Sequence, residues 1–313
     1  MTDFIDVHHG YRDEANQRWA FDYLLLDGAQ HPDLIEPYLQ TGDELCWCPV
    51  LETGLAEQLG GAGLFLLALD DDTPSAQALL ELLDEMAPCA VRLKSPLEIE
   101  ALATHLRAYL FAENEQGERV MMRYFDPRLL VPVLSVWERK WVDLFLQPLA
   151  QMQFRGHQAE WQTLRGFNSQ ETRFALPGPL VLDAERAARL AALGEADALL
   201  DELVDTGVVA SSETYLARYQ DFLPRLQRAR SWGLSRREDL LHFCTYSYQH
   251  GAAFDEQADI AALLQQLQRS QGHIAGFHLL VAEVLRQRPM QQQTPPTVLP
   301  TVAPELSARP LAG

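Results

Sequence analysis

The run "LFLLALDDDTPS" carries an apolar, strand-like stretch into three consecutive aspartates, Asp70 to Asp72. Carboxylates at the end of a strand suit phosphoryl transfer, where one attacks phosphorus while hard oxygens hold a Mg²⁺ ion. That chemistry spaces its groups Asp-x-Asp-x-Thr. Asp70 and Asp72 fit the two acids, but the next required position holds Pro74, and Thr73 comes one residue early. A downstream lysine is also needed, and the chain has only Lys94 and Lys140. The plainer reading is a polar loop that caps a helix starting near Pro74, with Asp72 or Thr73 as N-cap. A motif counts only when its structural context agrees, so Asp70→Asn is expected to leave function intact.

A second cluster, "RYFDPR", places Arg123, Tyr124, Asp126 and Arg128 within six residues. Read locally, the strand "RVMMRYF" ends here and a helix begins. Asp126 is a strong N-cap residue, and Pro127 at the first helical position loses nothing by lacking an N–H. On strand alternation Arg123 and Phe125 share one face and Tyr124 takes the other. This grammar does not require two arginines. An Arg123–Asp126–Arg128 ion-pair network fixing the corner is one explanation, and recognition of a partner at the sheet edge is the other. As a cap, Asp126 is expected to contribute ~1 kcal/mol. Arg128, if exposed, is expected to contribute ~0–1 kcal/mol.

The remaining candidates are weaker. His8 and His9 in "HHG" read as bystanders. His242 and His250, eight apart on one expected helix, stand roughly 12 Å apart along it, too far to share an ion without other ligands. "LGGAGLF" precedes a strand, the wrong side for a phosphate-cradling loop. HExxH, GxSxG and GxxxxGK[ST] are all missing, as is any CxxC pair. Cys46 and Cys48 in "CWC" share a strand face and cannot easily bridge. No catalytic, cofactor-binding or metal residue is assigned.

Those clusters must be held by elements the sequence also outlines. Over 313 residues the net charge is −19. Residues 1–150 carry −16 of it and residues 151–313 carry −3. So acidic a first half repels nucleic acid and anionic membrane surfaces, and no nucleic-acid or membrane partner is expected. "MTDFIDVHHGYRDE" lacks the basic end and apolar run of a secretory signal. The longest apolar run, Leu64 to Leu69, falls far short of the ~20 residues that span a bilayer. A reducing cytoplasm is expected. "FDYLLLDGAQ", "ELCWCPVL", "GLFLLAL" and "CAVRLKS" read as strands, and "PDLIEPYLQTG" and "PSAQALLELLDEM" as helices. "SPLEIEALATHLRAYLF" reads as a helix with a Ser95–Glu98 capping box. "PRLLVPVLSVW" and "ERKWVDLFLQPL" are helical, and "AQMQFRGHQAEWQTLRG" reads as a hairpin, which argues against a purely parallel sheet. From Asp183 to Arg288 five segments have helical pattern. The fold class is therefore α+β: an N-terminal mixed β-sheet flanked by helices, over residues 1–165, then a linker at 166–180 and an all-helical lobe at 181–288. Residues 289–313, rich in Pro and Gln, read as a disordered tail.

Taken in order, "LLDGA" (Leu25 to Ala29), the "SP" helix from Ser95 to Leu110 and "RYFDPR" (Arg123 to Arg128) resemble the N-terminal lobe of the type VI secretion adaptor family. The likeness covers roughly residues 20–150, and a weaker one extends into "RARSWGLSRREDLLHFCTYSYQHGAAF". The stretch "EQLGGAGLFLLAL" departs from the pattern, which puts the local loop geometry in question. The resemblance implies a non-enzymatic effector chaperone that holds a toxin in the cytoplasm and helps load it onto the VgrG spike. Asp27, Arg123, Tyr124, Asp126 and Arg128, which lie in the "LLDGA" and "RYFDPR" stretches, are the candidate partner-binding residues. The alternatives from other classes are a Mg²⁺-dependent, haloacid-dehalogenase-like phosphatase built on Asp70 and Asp72, and a plain structural assembly protein.

Overall fold

The computed structural model describes residues 7–9, 22–40, 46–69, 81–158, 160–169, 178–269 and 276–287. Asp70, Asp72 and the tail from residue 289 lie outside them. The described strands are β1 (Val7–His9), β2 (Tyr23–Asp27), β3 (Trp47–Pro49), β4 (Leu64–Ala68), β5 (Ala90–Lys94), β6 (Phe111–Asn114), β7 (Arg119–Met121), β8 (Gln151–Phe154), β9 (Gln162–Arg165) and β10 (Val181–Leu182). Seven form one sheet in the order β1-β9-β8-β5-β2-β4-β3, antiparallel throughout. The hairpin expected after Leu149 is β8–β9. The mixture of directions sits in a second sheet, β10-β6-β7, where β10 runs parallel to β6.

Helices α1 (Pro32–Gln40), α2 (Thr53–Leu59), α3 (Ile99–Arg107), α4 (Leu130–Val136) and α5 (Arg139–Leu146) flank the large sheet, and residues 81–86 are helical too. Both faces of this sheet are covered, which explains why β2 and β4 are almost continuously apolar. Leu25, Leu66, Val91, Leu93 and Met152 point to one face and pack with Leu102, Leu134 and Phe145. Their strand neighbours Leu24, Leu26, Phe65 and Leu67 point to the other and meet Ile35 and Leu83. On the larger face Tyr109, Tyr124, Trp137 and Phe145 form an aromatic cluster with ring centroids 5.0–6.3 Å apart.

All five helices expected in the second half are present: α6 (Ala184–Asp205), α7 (Tyr215–Ser231), α8 (Arg237–His250), α9 (Ala258–Arg269) and α10 (Phe277–Gln287). They bury a core of their own around Leu203, Phe222, Phe243 and Phe277. Asp183 caps α6 by accepting from Arg186 N at 2.8 Å. Its first turns pack Ala187 and Leu190 on the first core, while Leu199, Leu200 and Leu203 belong to the second. One helix is thus shared by both lobes. The described ends of the expected linker are anchored to the first lobe as well: Phe167 and Asn168 donate to the carbonyls of Leu146 and Leu149, and Leu180 is buried in the first core.

Three local expectations are corrected. The Ser95 capping box does not form, because α3 starts at Ile99; Ser95 is buried and its hydroxyl donates to Pro148 O instead. The helix expected to run through Phe111 ends at Arg107, and Phe111–Asn114 form strand β6, which the sequence reading did not assign. The β6–β7 turn is set by Asn114, whose side chain accepts from Gln116 N and Glu118 N, and by Gly117 at φ +76°. The strand "RVMMRYF" stops at Met121, in the second sheet, and α4 starts at Leu130, not Pro127. Tight turns fill Tyr124 to Leu129. They bring Arg123 and Arg128 onto Asp126, whose side chain accepts from Arg128 N in an Asx turn ahead of the helix.

Candidate interlobe site

Strand β2 ends at Asp27, whose carboxylate accepts from Ala29 N at 3.2 Å and Gln30 Nε2 at 3.4 Å, starting a tight turn over Gly28–Gln30. Gly28 is the residue the glycine-rich "LGGAG" segment packs on. A Cβ at Gly28 would stand 2.1 Å from Gly61 O and 2.7 Å from Gly63 O. Gly28 N donates to Gly63 O at 2.9 Å, so two glycine turns lie backbone to backbone. "LLDGA" and "LGGAG" are therefore two halves of one contact.

That contact holds Asp27 beside the "RYFDPR" corner. Arg123 Nη2 is 3.6 Å from Asp27 Oδ2 and 3.0 Å from Asp126 Oδ2. Arg128 grips Asp126 with a two-pronged fork, Nε to Oδ1 at 3.0 Å and Nη2 to Oδ2 at 2.9 Å. Its third nitrogen, Nη1, crosses to Asp201 of α6 at 2.8 and 3.0 Å. Burial works against the charge on Arg128, but Asp126 and Asp201 outweigh it and raise its pKa. The chain Asp27–Arg123–Asp126–Arg128–Asp201 thus runs from the first lobe into the second.

A second tie lies alongside. His157, from the β8–β9 hairpin, places Nε2 2.9 Å from Asp197 of α6 and stacks on Tyr219 with ring centroids 4.4 Å apart. Tyr215 donates its hydroxyl to the same carboxylate and lies under the Arg128 guanidinium, 5.4 Å from its centroid. Arg218 donates to Met86 O across the lobe boundary. Burial would raise the Asp197 pKa, yet the bonds from His157 and Tyr215 overcome it and lower it.

Asp27, Arg123, Arg128 and Asp201 line a cleft of about 870 Å³ between the lobes. Two of the expected partner-binding residues do not reach it. Tyr124 is fully buried and donates to Leu106 O at 2.7 Å. Asp126 is likewise 0% exposed. Both support the corner and neither offers surface to a partner. Sequence reasoning missed Asp197, Asp201, Tyr215 and Arg218. A signal was present: Asp197, Asp201 and Asp205 recur every fourth residue, an acidic stripe along one face of α6. In the structure Asp197 meets His157, Asp201 meets Arg128, and Asp205 lines the cleft.

Residues 23–143 match the family model of a domain of unknown function, DUF4123. No curated protein and no solved structure matches the chain. The DUF4123 region contains Asp27, Arg123, Asp126 and Arg128, while every second-lobe partner of the corner lies beyond it. The domain's arginine fork is therefore completed by an acid from outside the domain.

Burial raises the Asp27 and Asp201 pKa values, with the nearby arginines only partly offsetting it. A carboxyl whose folded-state pKa is raised stabilises the fold below its unfolded pKa of about 3.9, and that contribution is lost as pH rises through the folded value. Asp27→Asn keeps an oxygen for Ala29 N and is never charged. It is expected to raise the melting temperature at pH 7, and the gain should shrink as pH falls to 4. A melting temperature lowered at pH 7 would show that the Arg123 pair outweighs desolvation.

Proposed function

We propose that this chain is a non-enzymatic adaptor that binds a type VI secretion effector in the cytoplasm and promotes its loading onto the VgrG spike. One observation carries the reading. The stretches on which the family resemblance rests, "LLDGA" and "RYFDPR", converge on one ion-paired corner at a cleft between two lobes. Residues selected for catalysis need a reacting centre, whereas this corner fixes the relative placement of two lobes, as a chaperone presenting a composite surface requires. Four free thiols, Cys46, Cys48, Cys89 and Cys244, fit a reducing compartment. Among the described residues no helix is long and apolar enough to cross a membrane.

The test is co-purification. The full chain, tagged, is expected to retain the toxin encoded beside it and to bridge that toxin to VgrG. Deleting the gene should abolish secretion of that toxin while leaving the secretion machinery firing. Mg²⁺-dependent phosphatase activity abolished by Asp70→Asn, with toxin secretion unaffected by the deletion, would overturn the proposal.

A further inference from the structure

The outermost strand of a sheet carries a row of backbone groups that must be paired or blocked. Edge strand β3 is blocked. Pro49 has no N–H to offer, and Arg107 of α3 takes the carbonyls of Pro49 and Val50 at 3.2 and 2.6 Å. Edge strand β10 is two residues long, between Pro179 and the Asp183 cap of α6. The residues flanking β1 lie outside the described ones. Edge strand β7 has neither a proline nor a covering side chain.

The register of β7 shows which of its backbone groups are spare. Met122 N donates to Leu110 O at 2.8 Å, and Asn114 N donates to Glu118 O at 3.0 Å. Bonded pairs alternate with unbonded ones along an antiparallel ladder. Val120 is therefore bonded to Ala112, while Arg119 and Met121 turn their N–H and C=O away from β6. Among the described residues nothing meets those groups. Ala112 and Val120 pack on the first core and hold the strand in place. The Arg119 side chain folds back towards β6, 4.0 Å over the Phe111 ring. Met121 is 41% exposed and lines the interlobe cleft, so the open edge lies at the cleft rim. Charge does not select an occupant here, because Glu113 lies opposite Arg119 and Glu118 precedes it. The backbone does: outward N–H and C=O groups on alternate residues are matched by another extended chain. Self-pairing of two β7 edges would join chains of net charge −19 each, which repulsion opposes.

We propose that β7 is a docking edge for an extended segment of a partner protein. The segment adds as a fourth strand to β10-β6-β7, exchanges backbone hydrogen bonds with Arg119 and Met121, and lays an apolar side chain beside Met121. Main-chain bonds supply the affinity, and the side chain beside Met121 supplies preference. The inference rests on the adaptor reading for the partner's identity, while the open edge stands without it.

The probes are a soluble Thr/Val heptapeptide and the same peptide N-methylated at alternate residues, which cannot pair. Each is titrated with the full chain and followed by amide hydrogen exchange resolved to single residues. In the free chain Arg119 and Met121 are expected to exchange faster than Val120 and Met122. The plain peptide should slow both, and the methylated one should not. Met121→Pro removes an outward N–H and no bond of the β6–β7 ladder, so it should fold and weaken binding at least about tenfold. Met121→Ala loses the same side chain but keeps the N–H, and should bind nearly as the wild type does. If Met121→Pro melts early, the methylated peptide makes the same comparison on the wild type. Protection of Arg119 and Met121 in the free chain would overturn the proposal, since the edge is then filled by this chain or, if the mass by light scattering doubles, by a second copy. No binding of the plain peptide, or equal binding of the two peptides, would overturn it as well. Toxin pull-down separates the two readings. Toxin held equally by the wild type and Met121→Pro sinks the docking edge but keeps the adaptor. Toxin not held by the wild type sinks the adaptor, and the peptide result then judges the edge alone.

Discussion

Arg128→Ala should destabilise the folded chain by about 3–5 kcal/mol, the range found when one partner of a buried ion pair is removed. Arg128 is only 4% exposed and Asp126 is 0% exposed. Without the guanidinium, Asp126 keeps only Arg123 as a cation, and Asp201 loses its only ion-pair partner among the described residues. This is far above the ~0–1 kcal/mol expected of an exposed arginine, and the difference is burial. Arg128→Lys should rescue little, because an ammonium cannot reproduce the two-pronged grip on Asp126 while also reaching Asp201. Arg123→Ala serves as the internal contrast. Its side chain is 39% exposed, so its loss should cost about 1 kcal/mol or less. Denaturant unfolding of the three variants checks the order. A loss below 1 kcal/mol for Arg128→Ala would mean that the lobes are held by their apolar contacts and the His157–Asp197 tie alone.

Gly28→Ala is the other large effect, and it comes from shape. The new methyl would sit 2.1 Å from Gly61 O and 2.7 Å from Gly63 O. Both are backbone atoms of a turn packed beneath α1, so neither can rotate aside as a side-chain tip would. The two turns must separate, and the Gly28 N to Gly63 O bond at 2.9 Å goes with them. Overpacking of this kind costs about 1–3 kcal/mol, and the lost buried bond adds about 1 kcal/mol. The damage should also reach Asp27 and so loosen Arg123. Gly54→Ala is the control: nothing lies within 4 Å of its Cβ position, and it sits inside α2, where alanine is favoured. If Gly28→Ala melts with the wild type while Gly54→Ala shifts, the turn-on-turn contact is not what positions Asp27.

Much of the architecture was legible in order and kind. Short apolar runs closed by Gly, Pro or Asp marked β2, β4 and β5, and period-3.6 patterns marked all five helices of the second lobe. Boundaries were less legible where a polar residue had two possible employers. Ser95 looks like an N-cap because the sequence shows Pro96 and Glu98 beside it, but not that Pro148 O lies across the fold to take its hydroxyl. Asp126 looks like a cap for the same reason, while its oxygens are in fact claimed by two arginines. Strand β6 was hidden because its first residue, Phe111, closes the helical pattern of "RAYLF" and the rest, "AEN", shows no strand-like apolar run; only pairing with β7 and β10 makes it a strand.

By itself the sequence determined the α+β class, the change of texture near residue 180 and an acidic first half, and it offered the ion-pair grouping of Arg123, Asp126 and Arg128 as one of two readings, which the structure shows formed. Each follows from local periodicity, composition or residues a few positions apart, where the chain's own geometry limits the outcome. Only the tertiary structure decided that Asp27 joins that grouping, that Gly28 meets Gly61, and that Asp201 and Asp197 of a distant helix complete the corner. Those pairings are long-range: they depend on which sheet edge meets which helix face, and burial, which turns Arg128 from a surface charge into a buried tie between lobes, exists only once both cores have closed.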